Sequence, residues 1–460
     1  MHSTNSATNS AHTKVMFSPT RILIAGGGYS GLAAARVIAS RANLGVKITL
    51  IDRNPYATAM PLLPDVAALK IPSSAVTAPL SQLLPSRVNF LQASIQGWDF
   101  SHSRVLLDSE MSDCDSIEYD HLIISTGSRT AARPPLIPAE NSGIFNLDSL
   151  DSAMELGNEL YKSLLKAEKS GETLHIVVSG GGYTAVETIA NLEYLASSRS
   201  LPAEFTLICR SSLLRNHDDW VVQRLEKYLI SRKIRIISNC SILEYINSDE
   251  NGPGSLKIES LDESGQNSIG KITICPCDLM VLASGVEASV QPGESAFTVA
   301  SPTDSASAAL TSSQPTMASS LPDGRLLVDP FLRVRGLKNV FAVGDAAGIE
   351  VFQQKSSKPS MASKPSVEYL RRSVNFAIFS GKAAGNNLCN QLDSIELKSF
   401  NPVDPGWILP AHGESAGKLF NKIPVCGSTG LRLHYLMCGI RNFSLKNLLY
   451  LSAKACKLFP

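Results

Sequence analysis

The sequence predicts an α/β protein: two Rossmann-like units plus a C-terminal amphipathic segment. Three observations carry this expectation. A short apolar strand, a glycine turn and an Ala-rich helix occur in that order twice. Further short apolar strands end in small residues, as the strands of a parallel sheet do. From Ser415 to Pro460 there is no acidic residue, while Lys418, Lys422, Arg432, Arg441, Lys446, Lys454 and Lys457 are basic.

Residues 1–19 are rich in Ser, Thr and Asn and lack the apolar stretch of a secretory signal and the arginines of a transit peptide, so they read as a disordered leader. Arg21–Ala25 is the first strand and runs into Gly26-Gly27-Gly28-Tyr29-Ser30-Gly31. A helix follows over 32–40, and the strand Val46–Ile51 closes on Asp52. The second unit repeats this grammar: Leu174–Ser179, then Gly180-Gly181-Gly182-Tyr183-Thr184-Ala185, a helix to about Ala196, and a strand over 204–208. A repeat at this separation is a duplicated domain and not a solenoid. Additional strands ending in small residues are expected at 122–127, 279–285 and 339–345. Residues 286–322, rich in Ser, Ala, Thr and Pro with few charges, read as a disordered insertion.

Composition narrows the function. With 42 Lys+Arg against 41 Asp+Glu the net charge is +1, which gives no support to a nucleic-acid-binding role. A hydrophobic share of 44% and a charged share of 18% exclude wholesale disorder. Nine cysteines in 460 residues are too sparse for a disulfide scaffold, and Cys275-Pro276-Cys277 has the wrong spacing for a redox or zinc knuckle. No apolar run is long enough to span a bilayer as one helix.

The glycine turns carry the chemistry. In Gly26-x-Gly28-x-x-Gly31 the first glycine makes the tight turn, the second lets backbone approach a pyrophosphate, and the third lets helix pack on strand. The diphosphate then meets the free amides of the helix N-terminus. Asp52, at the end of the next strand, is placed to bind a ribose diol. In the second unit Gly180 and Gly182 are kept and Ala185 takes the third place. There the acid is absent: Cys209 stands where Asp52 stands in the first unit, followed by Arg210, Ser211 and Ser212, with Arg215 near. Removing a carboxylate and adding guanidinium groups favours a 2′-phosphate, so this site is expected to prefer or tolerate NADPH; an NADH site with ordinary surface arginines is the alternative.

Longer blocks point to a family. Leu50-Ile51-Asp52-Arg53-Asn54-x-Tyr56, Pro61-Leu62-Leu63-Pro64-x-Val66-Ala67, Tyr119-Asp120-x-Leu122-Ile123-Ile124-x-Thr126-Gly127, Gly180-Gly181-Gly182-x-Thr184-Ala185-Val186-Glu187 and Asn339-Val340-Phe341-Ala342-Val343-Gly344-Asp345 together resemble the type II NADH dehydrogenase family, single-chain flavoprotein NAD(P)H:quinone reductases. The resemblance covers about residues 20–390, the insertion excepted. It implies FAD held by Gly26, Gly28, Gly31 and Asp52, with Thr126, Gly127, Gly344 and Asp345 along its length. It implies NADPH or NADH at Gly180, Gly182 and Ala185, with Arg210 and Arg215 as candidates for its 2′-phosphate, and Glu187 near the nicotinamide and flavin. The reading of Glu187 as a solvated helix-face carboxylate stays open. The family's quinone pocket is implied at Pro61 and at a helix carrying Ala-Gln-x-Ala-x-Gln; here Asn375 and Phe379 fall in that register and neither glutamine is present. No cysteine lies between Arg21 and Asp113, which excludes the redox-cysteine reductases of similar fold.

The expected layout is a flavin domain from residues 20–150 and 324–395, a nicotinamide-nucleotide domain over 151–323, and a basic amphipathic segment over 396–460. That segment is expected to lie on a membrane surface, or else to pack on the flavin domain. The expected setting is intracellular and peripheral on the inner face of a bacterial or mitochondrial membrane, otherwise cytoplasmic, with no nucleic acid, no metal, and a homodimer left open. A ferredoxin-reductase-like enzyme and a flavoprotein redox sensor resembling apoptosis-inducing factor are the rival readings.

Overall fold

The computed structural model describes residues 18–108, 114–131, 143–246, 254–290, 297–299, 318–351 and 368–457. Two five-stranded parallel sheets with matching strand order organise it. In the first, Thr20–Ala25 lies between Val46–Asp52 and His121–Ile124; Val88–Gln92 and Val340–Ala342 form the edges. In the second, Leu174–Ser179 lies between Ala203–Ile208 and Leu279–Leu282, flanked by Arg235–Ile237 and Ile144–Asn146. The sequence-based expectation of two Rossmann-like units is met. The central strands are continuous apolar runs because both faces are covered: Ile24, Leu50, Val177, Val178 and Leu207 are fully buried. In the second sheet Val177 packs with Ile242, Leu256 and Ile258 of an antiparallel sheet, while Val178 and Leu207 face the other way. Crossover geometry puts both glycine turns, and both following helices (Tyr29–Arg41 and Tyr183–Ser197), at the carboxyl ends of their sheets.

Two expectations need correction. The first concerns the insertion at 286–322. Val286–Ala288 is a strand paired antiparallel with Ser128–Thr130 and tied by an Arg129–Glu287 ion pair at 2.8 Å. Phe297–Val299 pairs with Ala318–Ser320, which in turn meets Leu326. Ladder pairing, not composition, decides these segments; residues 291–296 and 300–317, like 1–17 of the leader, lie outside the described residues.

The second concerns the tail. Residues 396–460 are not one amphipathic segment. Gly406–Ala411, Glu414–Leu419 and Ile423–Cys426 form an antiparallel sheet, and two helices follow, Gly427–Arg441 and Leu445–Lys457. The sheet grips the second unit: Arg224–Glu414 at 2.9 Å, an ion pair between Lys418 and Asp218, and the Gly413 amide donating to the Tyr228 hydroxyl at 3.0 Å. The helices grip the first unit: Tyr29 stacks on Phe443 at 4.8 Å, and the side-chain amides of Asn442 and Asn447 donate to the carbonyls of Ala75 and Thr77. The tail is a third unit that clasps the other two. Its basic residues found partners distant in sequence, which a charge count along the chain does not reveal.

Leu409, Ala411, Ala416, Tyr435 and Leu451 belong to the main buried cluster. Burying a large apolar side chain is worth about 1.5–3 kcal/mol, and a whole fold is stable by only about 5–15 kcal/mol. A chain ended after Pro410 is therefore expected to be insoluble or to melt without a cooperative transition. Circular dichroism melts against the full chain check this; coincident curves would refute the clasp.

Candidate functional site

The first glycine turn, Gly26–Gly28, and the start of the helix after the second, through Tyr183, Thr184 and Glu187, line one cavity of about 1960 Å³. Gly26 (φ +107°) and Gly180 (φ +136°) occupy equivalent places. A Cβ on either would lie within 2.4 Å or 2.2 Å of a carbonyl oxygen on the neighbouring strand (Ser125 and Ala283), so only glycine lets each strand turn so sharply into its helix. Gly28 and Gly182 instead look into open space. That is the arrangement a pyrophosphate needs, with bare backbone at a helix N-terminus. Asp52 takes hydrogen bonds from the amides of its own turn, Gly27 at 2.6 Å and Asn54 at 2.8 Å, and still lines the cavity. Burial nevertheless pushes its carboxyl above the ordinary value.

The first unit lines the cavity further with Thr126, Gly127 and Asp345. The Thr126 hydroxyl is buried without a partner among the described residues. Asp345 accepts from the Ser128 hydroxyl at 2.8 Å. Unpartnered buried polar atoms around a cavity wider than the usual 300–1,000 Å³ of a small-ligand pocket fit an extended dinucleotide with room for a second ligand. Gly344 does not line the cavity; its amide donates to the Ser380 hydroxyl and so sets the turn that carries Asp345.

Glu187 sits in the second turn of its helix, 8% exposed, with Oε1 lacking any partner among the described residues. It is not a solvated helix-face carboxylate. Burial, reinforced by the charge of Asp65 and only partly opposed by Lys70, holds its carboxyl well above the usual range. Asn375 is also buried beside the cavity, with its Oδ1 unpartnered, and Pro61 joins the lining.

Other expected site residues stand outside the lining, among them Gly31, Gly180, Gly182 and Ala185, which lie in or beside the two glycine turns. Phe379 does not reach the cavity, because only the first turn of the Val374–Leu392 helix meets it, through Ser373, Val374, Asn375 and Ala377. Arg210 and Arg215 are also outside the lining. Arg210 Nε donates to the Gly265 carbonyl at 3.3 Å and Arg215 to the Ser264 carbonyl at 3.1 Å, so both are held on a turn that neighbours the strand end. Cys209, fully buried, donates its thiol to the Gly180 carbonyl at 3.5 Å. It backs the second glycine turn at the place where Asp52 backs the first.

Sequence reasoning missed a whole wall. The Gly427–Arg441 helix presents His434, Met437, Cys438 and Arg441 to the cavity. These positions are spaced three and four apart, one helical face. Cys438 Sγ lies 3.6 Å from His434 Nε2. Burial brings the His434 imidazole down to about 4, so it is neutral at physiological pH. Behind this wall Lys70 meets Asp65 at 2.7 Å, Asn191 at 2.8 Å and the Tyr435 hydroxyl at 3.1 Å, while that hydroxyl donates to Asp65 at 2.6 Å. Burial alone would raise Asp65, but the charge and hydrogen bond of Lys70 outweigh it and hold the carboxyl below its ordinary value. The spacing of the tail residues was the one available signal; Asp65 lay unremarked inside the Pro61–Ala67 block.

Two nucleotide cradles, the first opening on a cavity that the helix after the second also lines, with a buried acid on that helix, define an NAD(P)H-dependent flavoprotein oxidoreductase. Residues 20–365 match the pyridine nucleotide-disulphide oxidoreductase family, and the chain belongs to it. Ferroptosis suppressor protein 1 of Xenopus tropicalis is 25% identical over 385 residues, covering 83% of each chain. Demethylphylloquinone reductase NdbB of Synechocystis is 31% identical over 176 residues, which are 37% of this chain and 42% of that protein. NDH2 from Plasmodium falciparum, solved in complex with NADH, superposes with a TM-score of 0.74 at 16% identity, covering 95% of this chain and 98% of the other. The resemblance to type II NADH dehydrogenases therefore holds in the fold as well as in the motifs.

The buried Glu187 makes stability depend on pH. Its carboxyl keeps its proton in the folded chain to a higher pH than the ordinary carboxyl near 4.3 of the unfolded chain. Its contribution is complete below that ordinary value and is lost as pH rises toward the folded value. Glu187→Gln removes the loss. Melting temperatures of variant and parent, measured from pH 5 to 9, are expected to diverge in favour of Glu187→Gln as pH rises; a constant gap would contradict the buried acid.

Proposed function

We propose that the protein passes reducing equivalents from NAD(P)H through FAD to a quinone at a membrane surface. The observation that carries this reading is a single cavity lined by the first glycine turn, by Tyr183, Thr184 and Glu187 of the helix after the second, and by one face of the Gly427–Arg441 helix. FAD, when bound, supplies acceptance of hydride from the nicotinamide and delivery of two electrons to the acceptor. The chain supplies position and protons. Gly26, Gly28, Gly31 and Asp52 hold the ADP half of FAD; Thr126, Gly127 and Asp345 follow its ribityl chain and ring. Gly180, Gly182 and Ala185 hold the nicotinamide dinucleotide.

Reducing a quinone to a quinol consumes protons as well as electrons. Glu187, whose carboxyl burial raises and whose Oε1 has no partner among the described residues, is the acid placed to supply one, and neutral His434 lines the same cavity. Met60, Pro61 and Met437 supply apolar surface for a quinone ring, with the Asn375 amide at its edge. The name of the cyanobacterial relative, a demethylphylloquinone reductase, supports a quinone acceptor.

Cys209 brings no carboxylate against a 2′-phosphate, and Arg210 and Ser211 follow at the strand end. NADPH is accordingly favoured, or used as well as NADH. Anaerobic addition of each nucleotide to the yellow protein is expected to bleach it, and a short-chain quinone to restore the colour; a colourless protein, or one not reoxidised by the quinone, would end the reading. Steady-state kcat/KM is expected to favour NADPH, and Arg210→Gln to lower it about tenfold for NADPH alone. A clear NADH preference in the parent chain would sink the phosphate site.

Among the described residues no helix is long and apolar enough to cross a membrane. The two tail helices nevertheless expose Ile440 (64%), Leu445 (70%) and Leu449 (62%) to solvent, beside exposed Lys446. Apolar side chains rimmed by cations suit an anionic, cytoplasm-facing leaflet. Leu445→Glu with Leu449→Glu is expected to abolish co-sedimentation with anionic liposomes while turnover of a water-soluble quinone persists. Undiminished sedimentation would remove the membrane from the proposal.

A further inference from the structure

We propose that Trp407, a residue of the C-terminal sheet, is a positioning residue of the nicotinamide-nucleotide site: it braces the ring of Tyr183, the residue that follows the second glycine turn, so that this ring packs against the nucleotide once that is bound. This rests on the reading that Gly180–Gly182 hold the nicotinamide dinucleotide. Tyr183 is the first residue of the helix after Gly182, whose Cα looks into open space. Its ring contacts Trp407 edge-on, with centroids 5.4 Å apart and planes at 74°. His217 completes a triad, 5.0 Å from each, at 59° to Tyr183 and 88° to Trp407. All three spacings fall where aromatic pairs attract. All three side chains line the cavity, so the triad offers a ring surface beside the backbone that a pyrophosphate would approach.

The placement of Trp407 is enforced from both sides. Arg371 pairs with Asp404 at 2.7 Å and donates to the Gly406 carbonyl at 2.9 Å, and the Gly406 amide donates to Asp404 at 2.8 Å. On the opposite side Lys418, the register partner of Trp407, is paired with Asp218, the neighbour of His217. The His217 loop is itself tied to the glycine turn: the Leu214 amide donates to the Gly181 carbonyl at 2.8 Å, and the His217 amide to the Leu214 carbonyl at 2.9 Å. A nucleotide seated on the turn therefore presses on the loop of His217 and, through the triad, on the third unit. A flat nicotinamide ring is a chemical match for an indole and a phenol in this setting.

The test uses the full-length, FAD-loaded protein with NADP⁺ and NAD⁺, which bind without turnover. Isothermal titration of Trp407→Ala is expected to show binding weakened about three- to tenfold, the factor equivalent to one aromatic pair, with Trp407→Phe close to the parent. In the parent, nucleotide is expected to slow amide exchange across Gly406–Ala411. In stopped flow, reoxidation by a short-chain quinone is expected to keep its rate in Trp407→Ala, since the proposed quinone surface is formed by Met60, Pro61, Asn375 and Met437 and not by the triad. Unchanged affinity in Trp407→Ala overturns the proposal, as does an equal loss in the quinone half. If Trp407→Ala fails to retain FAD, absence of exchange protection in the parent overturns it alone. Gly182→Val separates the two readings, because the added side chain meets open space in the free protein. Retained binding in Gly182→Val removes the nucleotide site itself; lost binding there beside unchanged binding in Trp407→Ala removes only the brace.

Discussion

The ammonium of Lys70 and the carboxylate of Asp65 meet in an interior from which water is nearly excluded, their side chains 9% and 2% exposed. Two opposite charges in such a place are tolerable only if their remaining hydrogen-bonding capacity is met. The partners come from three different parts of the chain. Asn191 belongs to the helix after the second glycine turn, and Tyr435 to the C-terminal clasp. Lys454, on the last helix, donates to the Lys70 carbonyl and stands over the Tyr435 ring at 5.5 Å. Satisfying one ion pair thus requires all three units to be docked, and their docking is what closes the cavity.

The same pair sets the electrostatics of the site it closes. Asp65 is held ionised by Lys70 and Tyr435, and its negative charge reaches Glu187. Two neighbouring carboxyls in low dielectric do not both ionise readily, and the one without a cation of its own keeps its proton. Structural and electrostatic roles are therefore divided between two acids: one holds the units together, and the other lines the cavity with its carboxyl raised by burial. The helix that brings Tyr435 to Asp65 also brings His434, Met437 and Cys438 to the cavity, so the latch and that wall share one element.

Much of the cradle was legible in the sequence because its residues are dictated locally. A strand that must turn at once into a helix demands Gly26 and Gly180, and a backbone that must approach phosphate leaves Gly28 and Gly182 bare. Asp52, Thr126 and Asp345 follow strands whose apolar runs mark them. Glu187 is readable as a position in the helix after the second turn, yet whether it meets solvent or a dry cavity depends on Asp65 and on the clasp. Phe379 was misplaced because helical register says which side chains share a face and not how far along the helix the cavity extends. The tail was misread because a count of charges along a chain is blind to the partners that Lys418 and Lys454 find in distant segments. Val286–Ala288 was taken for part of a disordered insertion because its pairing with Ser128–Thr130 is a non-local ladder.

By itself the sequence determined the α/β class, the duplicated nucleotide cradles, the lack of redox cysteines beside the first of them, and the replacement of Asp52 by Cys209 in the second. Each of these rests on residues adjacent in sequence, where sterics and hydrogen bonding act over a few bonds. Only the tertiary structure decided that the last fifty or so residues are a clasp, that Glu187 is a buried acid, and that Trp407 packs edge-on against Tyr183 beside the second turn. Those outcomes depend on burial and on charges meeting across hundreds of residues, and desolvation is a property of the assembled interior that no single segment carries.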